Sequence, residues 1–166
     1  MSLSANPPGA LTQAAMRLAS TRLGGWFFTT VTPGLDRWLL RRTVGRYSLA
    51  GLGVPTLLLT TIGRKSGQPR STPLLYLADG EHLIIIASRG GRRAPPAWLL
   101  NLQHTPEVKV LVAGATRHCI AQVCSGTERA RYWDMLLTMN PYFARYQARL
   151  ERTIAVIKLT PSDLSC

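Results

Sequence analysis

Acidic side chains, paired cysteines and long apolar runs are all scarce in this sequence. Its 166 residues carry 8 Asp and Glu against 20 Lys and Arg. No apolar run approaches the roughly 20 residues that a helix needs to span a bilayer, and no secretory signal opens the chain. We therefore expect a cytoplasmic protein, with a peripheral position on the inner face of the cell membrane as an alternative.

The cysteines argue against two kinds of stabilising site. There are three of them, Cys119, Cys124 and Cys166, with no CxxC pair, so neither a disulfide framework nor a zinc site is expected. A strand over residues 115–124 would turn Cys119 and Cys124 to opposite faces. The three histidines show no metal-ligand spacing, and no GxSxG or HExxH occurs, so the sequence offers no support for hydrolase or metalloenzyme chemistry.

Positive charge is what the sequence has in excess. The net charge is +12 at pH 7, which favours an anionic partner such as nucleic acid, an anionic membrane surface or a polyanionic small molecule. A solvated basic surface that serves solubility is the plain alternative. Composition does not choose among these four.

Three regions follow one another along the chain. Residues 1–10 contain Pro7, Pro8 and Gly9 and are expected to form a flexible tail. Residues 11–53 are predicted to contain most of two helices, over 10–23 and 35–42, and a glycine-containing linker. Because aromatic and arginine side chains fall on different faces, these helices could lie in a lipid interface or pack over one end of the main domain. That main domain is expected to occupy residues 54–166.

The main domain has the pattern of an antiparallel β-protein with flanking helices. Runs rich in β-branched residues and leucine, bounded by turn residues, predict six strands, over 55–62, 70–78, 83–88, 108–112, 116–123 and 154–159. Helices are predicted over 97–104, 127–139 and 141–152. Strands and helices do not alternate as in a parallel sheet. We therefore expect an α+β fold built on a closed or partly closed antiparallel barrel.

One motif lies in the turn between the first two predicted strands. Gly63 and Gly67 permit positive φ, so successive backbone N–H groups between them could converge on an anion. Arg64, Lys65 and Arg70 add positive charge to the same turn, and arginine can grip phosphate with two parallel hydrogen bonds. Taken alone, the pattern also fits an ordinary basic hairpin turn, and the spacing is not that of a P-loop.

Two further segments carry groups that suit a planar ligand. The sequence Ala-Ser-Arg-Gly-Gly at 87–91 ends a predicted strand, and its hydroxyl and glycine backbone could approach a ring system closely. Trp98 and Asn101, three residues apart, share one helix face. They could wall a cofactor pocket or form a satisfied structural pair.

The order and spacing of these segments resemble those of the deazaflavin-dependent nitroreductase family. The resemblance runs from Pro55 to Pro161 and rests on LLLTTIGRKSGQPRSTPL, IASRGG, PAWLLNL and the late YQ with its final strand. It implies a split β-barrel of the FMN-binding type, a cofactor-binding domain over residues 54–166, and the 8-hydroxy-5-deazaflavin coenzyme F420. The acidic tail of that coenzyme would suit the basic surplus.

The resemblance also implies roles for individual residues. Those matching the phosphate-holding stretch are Arg64, Lys65, Ser66 and Arg70. Those matching the strand beside the cofactor are Thr72, Pro73, Leu74 and Leu75. Those matching the segment against the ring are Ser88, Arg89 and Gly90, with Arg89 where lysine is usual, and those matching the helix that closes the pocket are Ala97, Trp98 and Asn101.

The substrate side departs from the family pattern. Family members often carry YPxYxxYQ before the last strand, where this chain has Asn140, Phe143 and Tyr146 at the three tyrosine positions. Leu75 stands where another tyrosine is frequent, and Tyr76 follows it. The resemblance implies that Tyr76, Asn140, Phe143 and Tyr146 lie beside the acceptor, and that Tyr146 could donate a proton or fix the acceptor in place.

The resemblance therefore predicts an oxidoreductase that transfers a hydride from reduced F420 to an organic acceptor such as a quinone or a nitroaromatic. A split-barrel protein that binds FMN is one alternative. A basic nucleic-acid-binding module without catalysis is another, although no standard nucleic-acid motif is present. We expect no nucleic-acid partner and no metal, and a homodimer is a further possibility.

Overall fold

The computed structural model describes residues 55–162. The predicted tail, the predicted N-terminal helices, their lipid contact and Cys166 lie outside the described residues. Within residues 55–162, the strands are β1 (Thr56–Ile62), β2 (Pro69–Leu75), β3 (Leu77–Asp79), β4 (His82–Ile86), β5 (Glu107–Val112), β6 (Ala115–Val123) and β7 (Val156–Pro161). The helices are α1 (Ala97–His104), α2 (Gly126–Met139) and α3 (Tyr142–Ala148), and a short 3-10 turn covers Arg89–Gly91.

All seven strands form one antiparallel sheet in the order β2-β1-β5-β6-β7-β4-β3. Strands β2 and β3 lie at opposite edges of this sheet, yet only Tyr76 separates them along the chain. The sheet must therefore curl until its two edges approach each other. The expected partly closed antiparallel barrel is confirmed.

The second predicted strand, residues 70–78, was wrong as a single element. The chain leaves the β1 ladder at Leu75 and joins the β4 ladder at Leu77. Between them, the Tyr76 amide donates to the Pro55 carbonyl at 3.1 Å. Residues 73–78 are apolar or aromatic without interruption, so the sequence pattern does not reveal that the strand changes partner.

The predicted end of the third helix was also wrong. Helix α3 ends at Ala148 rather than at residue 152, and β7 begins two residues later than expected. The reason is the Gln147 side chain, which donates to the Arg152 carbonyl and accepts from the Ile154 amide. These bonds shape a non-helical connection. By contrast, the predicted bounds of α1 are confirmed.

Strand β4 is buried on both faces and separates two cores. Leu83 and Ile85 point into the barrel, where they pack with apolar residues of β1, β5, β6, β7 and α1. Ile84 and Ile86 point to the other side and pack beneath α2 and α3. Period-two alternation therefore gives each face of this strand its own partner layer.

The two described cysteines belong to different cores. Cys119 lies in the barrel interior, whereas Cys124 lies in the cluster beneath α2 and α3. The expectation that they face opposite ways is confirmed. Among residues 55–162, no helix is long and apolar enough to cross a membrane.

The helices are fixed to the barrel by apolar packing and by polar contacts. Helix α1 closes the barrel interior with Trp98, Leu99 and Leu102. Helix α2 is tied to β3 by Asp79, which accepts hydrogen bonds from the Tyr132 hydroxyl at 2.9 Å and from Arg131 at 3.0 Å. The barrel and its outer helices therefore hold the segments between them in place.

We expect Ile85→Ala to lower the free energy of unfolding by about 2 to 5 kcal/mol, because it leaves a cavity in the barrel interior. Ile85 is 0% exposed. The matched control is Val123→Ala on β6, where the side chain is 41% exposed and the expected change is within about 0.5 kcal/mol. Urea denaturation followed by circular dichroism measures both, and equal losses would contradict this account of the core.

Candidate functional site

A cleft of about 280 Å³ opens beside the edge strand β2. We call it the site cleft. Its walls come from β2, the end of β4 and the segment after it, the start of α1, and α3. The lining residues are Thr72, Pro73, Leu74, Leu75, Ile86, Ser88, Arg89, Gly90, Pro96, Trp98 and Phe143.

The edge position of β2 explains why prolines are tolerated on one wall. Pro69 and Pro73 have no amide hydrogen, so they suit a strand that has a neighbour on one side only. Strand β2 pairs with β1 alone, and a contact of 2.9 Å between the Thr60 and Ser71 hydroxyls adds to that pairing. The wall is therefore an ordered strand rather than a loop.

The opposite wall is the segment of residues 87–93, which we call the 87–93 segment. Arg89, Gly90 and Gly91 all have left-handed backbone, with φ of 48, 62 and 75 degrees. A Cβ atom on Gly91 would lie 3.3 Å from Cδ1 of Tyr146. Glycine at this position therefore permits both the backbone turn and the close approach of α3.

The basic turn between β1 and β2 differs from the expectation in one respect. Its amides do not converge on an external anion, because those of Ser66 and Gly67 donate to the Gly63 carbonyl at 3.0 and 2.7 Å. The Arg64 amide donates to Asn101, and the Gln68 amide faces the Ser66 hydroxyl at 3.4 Å. The side chains of Arg64 and Lys65 are exposed. Any anion held here would therefore depend mainly on the side-chain charge.

Asn101 holds that turn against the barrel. Its amide nitrogen donates to the buried Thr61 hydroxyl at 3.1 Å, and its oxygen accepts from the Arg64 amide at 3.2 Å. Neither Asn101 nor its neighbour Ala97 lines the site cleft. Trp98 does line it and also packs in the barrel interior. A direct cofactor contact for Asn101 stays a prediction, while its hydrogen bonds show that it positions the turn.

The four predicted acceptor-side residues are divided by the structure. Phe143 lines the site cleft, and Tyr146 packs behind it with ring centroids 6.3 Å apart. Asn140 is buried and accepts from the Tyr142 amide at 3.1 Å, which orders the start of α3. Tyr76 packs against the barrel interior.

Burial changes the acid–base properties of groups around the site. Desolvation raises the pKa of Tyr146, with smaller effects from Arg149, which lowers it, and Tyr142, which raises it. The phenol therefore keeps its proton at neutral pH and can donate a hydrogen bond. Burial, helped by the charge of Glu128, raises the pKa of Cys124 to about 11, so this thiol is a poor nucleophile.

Two residues that line the site cleft, and one residue that holds a wall of it in place, were not predicted from the sequence. Ile86 was expected only as part of a strand and Pro96 only as a helix start, although both lie in the segments that carried the motifs. Arg152 was not singled out, and it donates hydrogen bonds to carbonyls of the 87–93 segment. No local signal points to Arg152, because its partners lie about sixty residues earlier in the chain.

The chain is similar to proteins that use reduced F420. The family model described as F420H(2)-dependent quinone reductase matches residues 35–161. A Mycobacterium tuberculosis protein named F420H(2)-dependent quinone reductase Rv1261c is 37% identical over 109 residues, covering 64% of this chain and 73% of the relative. Rv3178 of the same organism, provisionally named for the same activity, is 39% identical over 108 residues, covering 65% and 91%.

Solved structures agree with this similarity. One described as an F420-H2 dependent reductase, FDR-A, has a TM-score of 0.59 and 31% identity, and covers 63% of this chain and 93% of that chain. Another, described as a domain-swapped dimer, has a TM-score of 0.61 and 28% identity, and covers 76% and 97%.

We expect Gly91→Ala to destabilise the protein more than Gly80→Ala. Both residues have positive φ, 75 and 60 degrees, so each alanine carries a backbone strain of roughly 1 to 2 kcal/mol. Only at Gly91 would the new Cβ also crowd the Tyr146 ring, since nothing lies within 4 Å of a Cβ on Gly80. Urea denaturation measures the difference, and equal destabilisation would show that the Gly91–Tyr146 approach is unimportant.

Proposed function

The chain belongs to the family of F420H(2)-dependent quinone reductases, and we propose that the site cleft holds both the coenzyme and the acceptor. The protein is an oxidoreductase that uses reduced F420 to reduce an organic acceptor of the quinone class. The observation that carries the placement is the meeting of three motif segments, from β2, the 87–93 segment and α1, around one cleft.

The residues of the site cleft fit the coenzyme in two ways. Leu74, Leu75 and Trp98 are apolar residues of the lining, which suits a planar ring, and the left-handed backbone of residues 89–91 lets the main chain approach it. Beyond the end of the cleft formed by Thr72, the exposed side chain of Arg70 follows on the same strand. These residues therefore suit a ligand with an apolar ring at one end and an anionic group at the other.

When bound, F420 supplies the hydride, so the chain's own task is to bind, orient and exclude water. Arg64, Lys65 and Arg70 would attract the phosphate and the acidic tail by charge. Asn101 would act indirectly by holding the turn that carries Arg64 and Lys65. No protein nucleophile is required, which agrees with the raised pKa of Cys124.

The acceptor would enter on the side of Phe143, which faces the same cleft as the proposed ring wall. Tyr146 does not line the cleft but packs against Phe143, which does, and its phenol is the proton donor that the resemblance implies. Its raised pKa keeps the phenol protonated, which suits a hydrogen bond to a quinone oxygen better than full transfer of the proton. Nitroaromatic acceptors, the homodimer and a membrane contact stay predictions, the homodimer being supported by a neighbour described as a domain-swapped dimer.

Lys65→Glu should weaken coenzyme binding by at least about tenfold, or about 1.4 kcal/mol, because it reverses a charge beside the proposed phosphate position. Titration of protein into oxidised F420, followed by coenzyme fluorescence, measures the dissociation constant. The control is Lys109→Glu, which makes the same charge change at an exposed position on β5.

FMN and a short duplex DNA serve as comparison ligands in the same titration. Unchanged affinity in Lys65→Glu would refute the phosphate assignment. Binding of FMN in place of F420, or of DNA with a steep loss on added salt, would favour one of the alternative functions instead.

Tyr146→Phe should lower kcat for a naphthoquinone such as menadione by roughly tenfold to a hundredfold, since it removes a hydrogen-bond or proton donor and keeps the ring. Coenzyme affinity should not change. Tyr142→Phe is the matched control on the same helix, where the ring lies 5.0 Å from the Arg145 guanidinium carbon. Wild-type kinetics in Tyr146→Phe would exclude a direct role for the phenol.

A further inference from the structure

One arginine that does not line the site cleft shapes one of its walls. The Arg152 guanidinium donates from Nε to the Arg93 carbonyl at 2.9 Å. Its Nη2 donates to the carbonyls of Ala87 and Arg92, each at 3.2 Å, and the Ser88 carbonyl lies 3.4 Å from the same nitrogen. These acceptors come from both ends of the 87–93 segment, so a single planar group closes the segment into a loop.

The 87–93 segment needs such a support because its backbone is strained. Three consecutive residues have left-handed φ, and the first of them, Arg89, is not glycine. Left-handed backbone is unfavourable for a residue with a side chain and persists where the surroundings hold it. The turn's own backbone bonds are few, from Gly91 to Ser88 at 3.0 Å and from Arg92 to Arg89 at 3.3 Å. The bonds from Arg152 add a constraint that joins the two ends of the segment.

The donors of Arg152 serve backbone carbonyls rather than a carboxylate. The two ion pairs found among residues 55–162 are those of Arg131 with Asp79 and Lys158 with Glu128. A guanidinium suits several carbonyls at once because its donors have a fixed planar spread, whereas an ammonium is a single point charge. The single nitrogen of a lysine would have to serve the Arg93 carbonyl, which takes Nε of Arg152, as well as the Ala87 and Arg92 carbonyls, which take its Nη2, so lysine would make fewer of these bonds.

A second residue fixes where Arg152 stands. Gln147 donates to the Arg152 carbonyl at 3.0 Å and accepts from the Ile154 amide at 2.8 Å, which holds the connection between α3 and β7. The adjacent residue, Tyr146, lies so close to Gly91 that a Cβ atom there would be 3.3 Å from its ring. Helix α3 therefore reaches the 87–93 segment twice, once through the Tyr146 ring and once through Gln147 and Arg152.

We infer that Arg152 is a positioning residue for the reaction, which holds the 87–93 segment in the shape that forms the coenzyme wall of the site cleft. Gln147 links that wall to α3, which carries Phe143 on the acceptor side. The inference rests on the proposed function for the identity of the ligand. The shape of the segment without ligand is a separate consequence, and it can be measured separately.

The ligand-free test uses trypsin, because the 87–93 segment contains Arg89, Arg92 and Arg93. In Arg152→Ala, we expect cleavage after these residues to be roughly tenfold faster or more, as expected of a segment that opens locally, with little change at other sites. Arg145→Gln is the control, since it removes an exposed arginine of α3 that lies against Tyr142. Mass spectrometry of timed digests locates and counts the cuts.

The ligand test uses F420 fluorescence titration and menadione kinetics on the same variants. Arg152→Ala should raise the coenzyme dissociation constant and lower kcat by roughly tenfold each, with menadione KM nearly unchanged, because the displaced wall belongs to the coenzyme. Added methylguanidinium should restore part of the affinity, and methylammonium should not. Arg152→Lys should be intermediate, and it replaces Arg152→Ala if the alanine variant does not fold.

Two results would overturn the inference. One is wild-type trypsin resistance of the 87–93 segment in Arg152→Ala, and the other is wild-type coenzyme affinity and kcat in that variant. Failure of the wild-type protein to bind F420 would instead overturn the proposed function, and the trypsin result would still decide whether Arg152 holds the segment.

Discussion

The curl of the sheet is the constraint on which the rest of the structure depends. Because β2 and β3 are consecutive in the chain and lie at opposite edges, the sheet has to bend until Tyr76 can join them. The site cleft lies at this join, between the edge strand β2 and the end of β4. An edge strand leaves one side of its backbone without a neighbouring strand, and here that side borders the cleft. The closure of the barrel therefore also determines where the site lies.

The sequence predicts those parts of the structure that depend on local pattern alone. The bounds of α1 follow from two prolines before it and one after it, and the motif residues on β2 and after β4 do meet around one cleft. The prediction fails where the backbone conformation depends on a partner that is distant in the sequence. The bend at Tyr76 depends on Pro55 and on a change of ladder, and the early end of α3 depends on the side chain of Gln147. Neither the bend nor the early end of the helix changes the local apolar pattern or the helix propensity, on which the prediction is based.

The basic surplus has a structural share that composition could not reveal. Arg152 serves backbone carbonyls, Arg131 pairs with Asp79, and Arg129 donates to the Ile154 carbonyl at 3.1 Å. These arginines fasten one element to another rather than forming a surface for a large polyanion. In the turn after β1, by contrast, the amides of Arg64, Ser66 and Gly67 bond within the protein, and the side chains of Arg64 and Lys65 are exposed. The charged side chains of that turn are therefore available to bind a ligand, while its backbone is held by internal hydrogen bonds.

The coenzyme side and the acceptor side of the site cleft differ in which substitutions they can tolerate. The left-handed backbone at Arg89 costs roughly 1 to 2 kcal/mol, and a hydrogen bond from a charged group returns about 1.5 to 3 kcal/mol, so the bonds from Arg152 can offset that strain. Those bonds originate in the connection after α3. A substitution at Phe143, which lines the cleft, can reshape the acceptor side while leaving that connection intact. Changes at Gln147 or Arg152 cannot, because they reach the coenzyme wall through the backbone.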